Sequence, residues 1–209
     1  DAGGNPGQNA DHCPATLTRS LAGPARNRVR IIGGRHRGRK LEFPDLPGLR
    51  PTPDRVRETL FNWLQPVMEG ARCLDLFAGS GALGLEAASR GARRVLMLEQ
   101  AGPASRQLEH NRRLLGLDQV EVSRTDALRW LRGEAEPFDI VFLDPPYAAG
   151  LQGPCARLLA QRGWLAPGAL VYLETDSRGE DPAWPAHWRL RKRKQAGQVA
   201  YCLLQTDEE

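Results

Sequence analysis

The sequence predicts an α/β protein with a seven-stranded, mostly parallel sheet, an antiparallel C-terminal hairpin and a small N-terminal β-hairpin. Strand and helix patterns alternate through the middle of the chain, which is typical of a parallel sheet with helices on both faces. The last two strand patterns are separated only by Ala196-Gly197, and so short a connection indicates that the two strands pair antiparallel. An earlier pair of strand patterns is separated by the turn signal Gly33-Gly34.

The N-terminal part precedes the main domain in three pieces. Residues 1–27 are polar and rich in Gly and Asn, so we expect a disordered tail. Residues 28–50 are expected to form the hairpin as a basic appendage, and residues 51–209 the main domain. A first helix is predicted with Thr52 as its N-cap and Pro53 at its first position.

The main domain follows the alternating pattern. Strands are predicted at residues 73–77, 94–99, 120–123, 139–143, 169–174, 188–194 and 198–205. Helices are predicted at residues 82–90, 103–115, 127–131 and 155–162. Such an order places the carboxyl ends of the parallel strands along one edge of the sheet, where ligands bind.

Composition excludes several classes of protein. No apolar run approaches the roughly 20 residues of a membrane helix, and the first residues do not resemble a signal peptide. We therefore expect a cytoplasmic protein with no membrane partner. Four scattered cysteines without metal-ligand spacing indicate free thiols and no metal site. Basic residues exceed acidic ones by 29 to 25, so only their distribution is informative.

The fourth main-domain strand ends in Asp144-Pro145-Pro146-Tyr147. Proline lacks an N–H group, so the chain cannot extend the sheet and its carbonyl groups stay available as acceptors. An acid, free carbonyl groups and a ring together suit a flat, polar ligand that carries an amino group. The alternative is an ordinary proline-rich turn.

A glycine loop, Gly79-x-Gly81-x-x-Gly84, lies at the first strand-to-helix turn, and Glu99 ends the following strand. Glycines allow close approach of the backbone to a ligand, and an acid in this place can accept hydrogen bonds from ribose hydroxyls. This arrangement suits NAD or S-adenosylmethionine, and a tight turn without a ligand is the alternative. A protein of the NAD-dependent oxidoreductase class therefore stays open at this point.

Two further acids, Asp75 and Asp126, favour S-adenosylmethionine over NAD. Asp75 precedes the glycine loop, where it could bind the methionyl ammonium and would repel a pyrophosphate; Phe77 lies between them. Asp126, followed by Ala127, lies where an acid can accept from the adenine amino group. Asp126 can equally be a helix N-cap.

Positive charge concentrates in two segments. The first contains the candidate RNA-binding residues Arg28, Arg30, Arg35, Arg37, Arg39 and Lys40, followed on the first helix by Arg57. The second spans residues 189–194 in the late hairpin. Clustered Lys and Arg suit a phosphate backbone, although either run can be a solvated face.

These motifs resemble those of class I, Rossmann-like S-adenosylmethionine-dependent methyltransferases that modify exocyclic amino groups. The block from Arg50 to Leu64, together with the opening Arg30-Ile31-Ile32-Gly33-Gly34, is most similar to the bacterial 16S ribosomal RNA guanine N2 methyltransferase family. The resemblance covers residues 28–205 and makes residues 51–209 a methyltransferase domain. It implies 16S rRNA or the small ribosomal subunit as the partner, and we separately expect the enzyme to be a monomer.

The resemblance also implies roles for the residues of the fourth strand end. Asp144 and the Pro145 carbonyl would accept hydrogen bonds from the guanine amine, and Tyr147 would stack on the base. Asp75, Phe77, Gly79, Gly81, Glu99, Asp126, Ala127 and Asp144 would bind S-adenosylmethionine and its product S-adenosylhomocysteine. No metal is required. A DNA adenine N6 methylase and a non-catalytic RNA-binding protein remain alternatives.

Overall fold

The computed structural model describes residues 27–146, 149–178 and 184–207, together with Gly3. The strands are β1 (Asn27–Arg30), β2 (Lys40–Phe43), β3 (Arg72–Asp75), β4 (Arg94–Leu98), β5 (Val120–Ser123), β6 (Phe138–Leu143), β7 (Leu165–Asp176), β8 (Arg189–Ala196) and β9 (Val199–Gln205). The helices are α1 (Asp54–Met68), α2 (Gly84–Ser89), α3 (Gly102–Leu115), α4 (Ala127–Trp130) and α5 (Gln152–Gln161). The predicted N-terminal tail lies outside the described residues except for Gly3 and Asn27.

The main sheet has seven strands in the order β5-β4-β3-β6-β7-β9-β8. The five strands from β3 to β7 pair parallel with one another, whereas β9 is antiparallel to both β7 and β8. The predicted mostly parallel sheet with an antiparallel C-terminal hairpin is confirmed. From β3 the chain adds β4 and β5 on one side of the sheet and then returns to add β6 and β7 on the other side. The boundary between β3 and β6 is therefore a topological switch point, and such a point opens a crevice at the carboxyl edge of the sheet.

Both faces of the sheet are covered. Helices α1, α2 and α3 and the N-terminal hairpin pack on one face, and α4 and α5 pack on the other. Alternate residues of β3 serve the two faces, with Cys73 in the first cluster and Leu74 in the second. The strand ends that carry the site are therefore fixed by packing on both sides. Within the described ranges, no helix combines the length and apolar character needed to cross a membrane.

The N-terminal hairpin pairs β1 with β2 antiparallel, which confirms that element. Its tip is longer than a tight turn at Gly33-Gly34, because a 3-10 turn at Gly34–His36 extends it. Gly34 has φ of 73°, and a Cβ there would overlap the Ser89 carbonyl. The His36 N–H donates to Ser89 Oγ at 2.9 Å. The tip therefore lies at the end of α2, at the edge of the sheet where the strands begin.

The first helix begins one residue later than predicted. Pro53 occupies the N-cap position, and its carbonyl accepts the N–H groups of Val56 and Arg57 at 3.0 Å. The prediction of Thr52 as N-cap was wrong, because the helix starts from the Pro53 carbonyl and no side chain caps it. The Thr52 hydroxyl is consequently available for another contact.

Candidate active site

Five neighbouring parallel strands each carry an acid at or near the carboxyl edge of the sheet. These acids are Asp126 after β5, Glu99 after β4, Asp75 in β3, Asp144 after β6 and Glu174 in β7. Neighbouring strands lie about 4.8 Å apart, so the acids form a row along one crevice. Sequence reasoning missed Glu174, which is buried. The available signal in the sequence was an acid at the end of an apolar strand pattern.

Asp75 is buried beneath the glycine loop, with 2% of its surface exposed. Its Oδ2 accepts the Gly84 N–H at 3.0 Å, and the Phe77 N–H also donates to this carboxylate. Burial raises the pKa of Asp75 to about 7, since the two backbone hydrogen bonds offset only part of the desolvation and Glu99 adds repulsion. Asp75 is thus an acid that can change its charge near neutral pH. Phe77 is half-buried and packs toward the α4 and α5 face.

Glu99 holds the glycine loop from the next strand. Its Oε2 accepts the Gly79 N–H at 2.9 Å, and its Oε1 accepts the Ala101 N–H at 2.7 Å. Gly79 and Gly81 have φ values of 52° and 80°, a region that residues with a Cβ rarely adopt. Carboxylates therefore bind the N–H groups of both the first and the last glycine of the loop.

Asp126 and Ala127 lie at the start of α4. Asp126 Oδ1 accepts the Arg129 N–H at 2.8 Å, so this acid caps the helix. Ala127 is buried in the cluster beneath α4 and α5. The cap fixes Asp126 at the rim of the crevice, and its contact with a ligand stays a prediction.

Asp144 directly follows β6 and is partly accessible to solvent. Thr52 Oγ1 donates to Asp144 Oδ2 over 3.4 Å. Burial of the carboxyl group raises its pKa well above the ordinary value, Glu174 and Asp75 raise it further, and the Thr52 hydroxyl lowers it. Pro145 is buried, and its carbonyl accepts no hydrogen bond from any residue that the structure describes. The predicted stacking residue, Tyr147, lies outside the described residues.

Arg57 does not belong to an RNA surface, which corrects its prediction as an RNA-binding residue. It is 1% exposed. Its guanidinium bonds Asp54, lies 3.5 Å from Glu86 Oε2, and donates to the Thr52 carbonyl at 3.1 Å. The positive charge of Arg57 is therefore buried inside the protein, where it compensates the negative charge of the buried Glu86. Sequence reasoning could not find this pairing, because Glu86 is distant along the chain.

The other predicted RNA-binding residues are exposed on the hairpin. They are Arg28, Arg30, Arg35, Arg37, Arg39 and Lys40. Two of them form ion pairs, Arg28 with Glu42 at 3.7 Å and Arg30 with Asp54 at 2.9 Å. The second basic run forms strand β8, whose residues from Arg189 to Gln195 are all exposed. No group of three or more side chains suited to a metal ion occurs in the part of the chain that the structure describes.

The strand order and the row of acids define a class I, Rossmann-like methyltransferase fold. An RNA methyltransferase from Salinibacter ruber, solved in complex with S-adenosyl-L-homocysteine, shares this fold with a TM-score of 0.60 and 20% identity. The match covers 77% of this chain and 95% of that chain.

Closer matches define the family. The family model described as "Conserved hypothetical protein 95" matches residues 29–205. "Ribosomal RNA small subunit methyltransferase D" of Escherichia coli (strain K12) is 50% identical over 181 residues, which cover 87% of this chain and 91% of that protein. The solved structure of Escherichia coli yhhF has a TM-score of 0.82 and 47% identity, covering 88% of this chain and 100% of that chain. The chain therefore belongs to this family, which it shares with ribosomal RNA small subunit methyltransferase D.

Proposed function

We propose that this protein transfers a methyl group from S-adenosylmethionine to the exocyclic N2 amine of a guanine in 16S ribosomal RNA. The observation that carries the proposal is that two acids of the row, Glu99 and Asp75, bind the N–H groups of the glycine loop. The Gly79 and Gly84 N–H groups already donate to Glu99 and Asp75. In a dinucleotide site such N–H groups face a pyrophosphate, which these carboxylates would repel.

The same acids fit S-adenosylmethionine. In this proposal Glu99 binds the ribose hydroxyls, Asp75 binds the methionyl ammonium, and Asp126, with Ala127, binds the adenine. The donor supplies an electrophilic methyl group on a positively charged sulfur. Phe77, Gly79 and Gly81 shape the loop against which the ligand would lie.

In the same proposal Asp144 and Pro145 act on the accepting amine. The guanine N2 lone pair is delocalised into the ring, so acceptors at the amino hydrogens favour the pyramidal nitrogen that can attack. Asp144, in its ionised form, and the Pro145 carbonyl provide such acceptors and stabilise the positive charge that develops on nitrogen. The methylated amine then loses a proton, which the Asp144 carboxylate can accept. Tyr147 completes the proposal as the ring on which the extruded base stacks.

The basic surfaces support an RNA substrate larger than one nucleotide. The hairpin tip, with Arg35, Arg37 and Arg39, lies at the edge of the sheet opposite to Asp144. Arg193 in β8 is in register, through β9 and β7, with Leu143 at the end of β6. Three strand spacings, about 14 Å, separate that part of β8 from β6. RNA that contacts both surfaces would extend well beyond the target base, as folded 16S rRNA or a small-subunit particle does.

The test is methylation by the purified protein with labelled S-adenosylmethionine. We expect label in N2-methylguanine at one position of undermethylated small subunits, identified by nucleoside analysis and mapping. Label only in N6-methyladenine of duplex DNA would replace the proposal with a DNA methylase. Binding of NADH without binding of S-adenosylhomocysteine would indicate an oxidoreductase.

Variants separate catalysis from binding. Asp144→Ala should abolish methyl transfer and leave RNA affinity unchanged, whereas Asp118→Asn, an exposed acid at the opposite edge of the sheet, should retain both. If Asp144→Ala binds RNA and turns over at the wild-type rate, the proposed mechanism is wrong. We also expect a monomer in the cytoplasm, which light scattering and cell fractionation can test.

A further inference from the structure

Thr52 joins the segment before α1 to the candidate catalytic acid. The residue is 7% exposed, and its side chain does not cap the helix. Its Oγ1 instead lies 3.4 Å from Asp144 Oδ2, a contact between residues 92 positions apart in the chain. This distance exceeds the roughly 2.8 Å of a strong hydroxyl-carboxylate bond, and catalytic hydrogen bonds often shorten only when substrate is bound.

The backbone of Thr52 is held by a buried charge network. Arg57 Nε donates to the Thr52 carbonyl at 3.1 Å, and the Arg57 guanidinium lies against Glu86. Glu86 in turn accepts the Ile32 and Gly33 N–H groups, each at 2.8 Å. A continuous series of polar contacts therefore runs from the hairpin to Asp144.

The contact with Thr52 distinguishes the two oxygens of Asp144. A hydroxyl donor on Oδ2 fixes the rotation of the carboxyl group and leaves Oδ1 for another donor. It also favours the ionised form of a group whose pKa is raised by burial and by Glu174 and Asp75. Both effects suit an acid that must accept a hydrogen bond from an amine.

We infer that Thr52 is a positioning residue: its hydroxyl orients Asp144 toward the substrate amine, and the Glu86–Arg57 pair keeps Thr52 in place. This inference rests on the proposed methyl transfer. It adds a role for the block before and within α1, whose residues do not belong to the glycine loop or to the strand ends. It also connects the docked hairpin to the geometry of the reacting group.

The test compares Thr52→Val, which removes the hydroxyl at nearly constant shape, with Thr52→Ser, which retains it. Thr52→Val should lower kcat about 10- to 100-fold, the loss expected for one hydrogen bond to a charged group. Affinity for S-adenosylhomocysteine and KM for RNA should change less than about threefold, within the small effect of a residue that touches neither ligand. Thr52→Ser should recover most of the rate, and Thr59→Val on the outer side of α1 is the matched control.

The pH profile gives a second readout. Without the hydroxyl, the pKa of Asp144 rises further, so the acidic limb of the kcat profile should move to higher pH in Thr52→Val but not in Thr52→Ser. Wild-type kcat and an unshifted profile in Thr52→Val would overturn the inference while leaving the proposed function intact. Equal losses in both variants with weakened S-adenosylhomocysteine binding would show a merely structural role and overturn it too. A wild-type protein that methylates no RNA would remove both proposals together.

Discussion

Glu99 Oε2 accepts the Gly79 N–H at 2.9 Å, so the acid expected to bind the ribose of the cofactor also fixes the loop beneath it. Its second oxygen accepts the Ala101 N–H just before α3. One carboxylate thus joins the loop after β3 to the start of the next helix. Loss of this side chain should affect both protein stability and ligand affinity.

We predict that Glu99→Ala raises the Kd for S-adenosylhomocysteine about 10- to 100-fold, because the ribose acceptors and the loop geometry disappear together. The free energy of unfolding should fall by about 1–3 kcal/mol, since two N–H groups lose a charged acceptor. Calorimetric titration and urea unfolding measure the two effects. Asp118→Asn should change neither, and a Glu99→Ala protein with wild-type affinity would contradict the proposed ribose contact.

The raised pKa of Asp75 predicts a pH-dependent stability. The pKa is about 7 in the folded protein, whereas an aspartate in an unfolded chain titrates near about 4. Folding therefore takes up a proton between these values, and the contribution of Asp75 to stability is lost as pH rises through about 7. Urea unfolding should show a free energy of unfolding that declines from about pH 4 to about pH 7 and then levels off, by an amount on the order of 4 kcal/mol at most from this residue.

Asp75→Asn is the matched variant for this titration, because it keeps the shape and cannot ionise. Its stability should depend less on pH than that of the wild-type protein, with Asp144 supplying the remaining slope in the same direction. Parallel stability profiles for the two proteins would show that Asp75 does not titrate in this range.

Arg57 and Arg55 form a natural pair of variants on α1. Arg57 is buried against Glu86, whereas Arg55 is exposed. Arg57→Met should reduce the free energy of unfolding by about 3–5 kcal/mol, because removing one partner of a buried ion pair leaves the other charge poorly compensated. Arg55→Met should stay within about 0.5 kcal/mol of wild type. Equal urea midpoints for the two variants would contradict the structural role of Arg57.

The two basic surfaces can be distinguished by salt dependence. Neutralising Arg35, Arg37, Arg39 and Lys40 with glutamine, or separately Arg191, Lys192 and Lys194, should weaken RNA binding. The slope of log K against log salt concentration should decrease by about 0.7–0.9 for each phosphate that the variant no longer neutralises. Arg157→Gln, an exposed change on the α5 face, is the control. If one of the two multiple variants shows the same salt slope as the control, the residues replaced in it do not contact RNA. That basic surface would then be a solvated face.

Periodicity and turn residues were enough to predict most of the fold. The strands β4 and β5 and the helix α3 lie within one residue of their predicted bounds, because their apolar patterns are regular and Gly116 ends α3. Strand β7 begins at Leu165, four residues earlier than predicted. Pro167 and Gly168 interrupt the strand pattern in the sequence and so indicated a turn there. A register shift opposite β6 accommodates these residues.

The candidate site was only partly accessible to sequence reasoning. Strand ends locate Asp75, Glu99, Asp126 and Asp144, since parallel strands present their carboxyl ends at one edge. The burial of Arg57 and the contact from Thr52 to Asp144 depend on partners distant in sequence, which no local pattern contains. The position of the hairpin tip likewise depends on its docking to Ser89.

The position of β9 between β7 and β8 has a consequence for the order in which the protein can fold during synthesis. Strand β8 leaves the ribosome before β9, yet its only neighbour in the described sheet is β9. Until residues 199–205 emerge, the hydrogen-bonding edge of β7 remains open and the basic strand β8 lacks its native partner. A nascent chain that stalls before Val199 would therefore expose an unfinished sheet, and the five positive charges of β8 would help to keep it from associating with other chains.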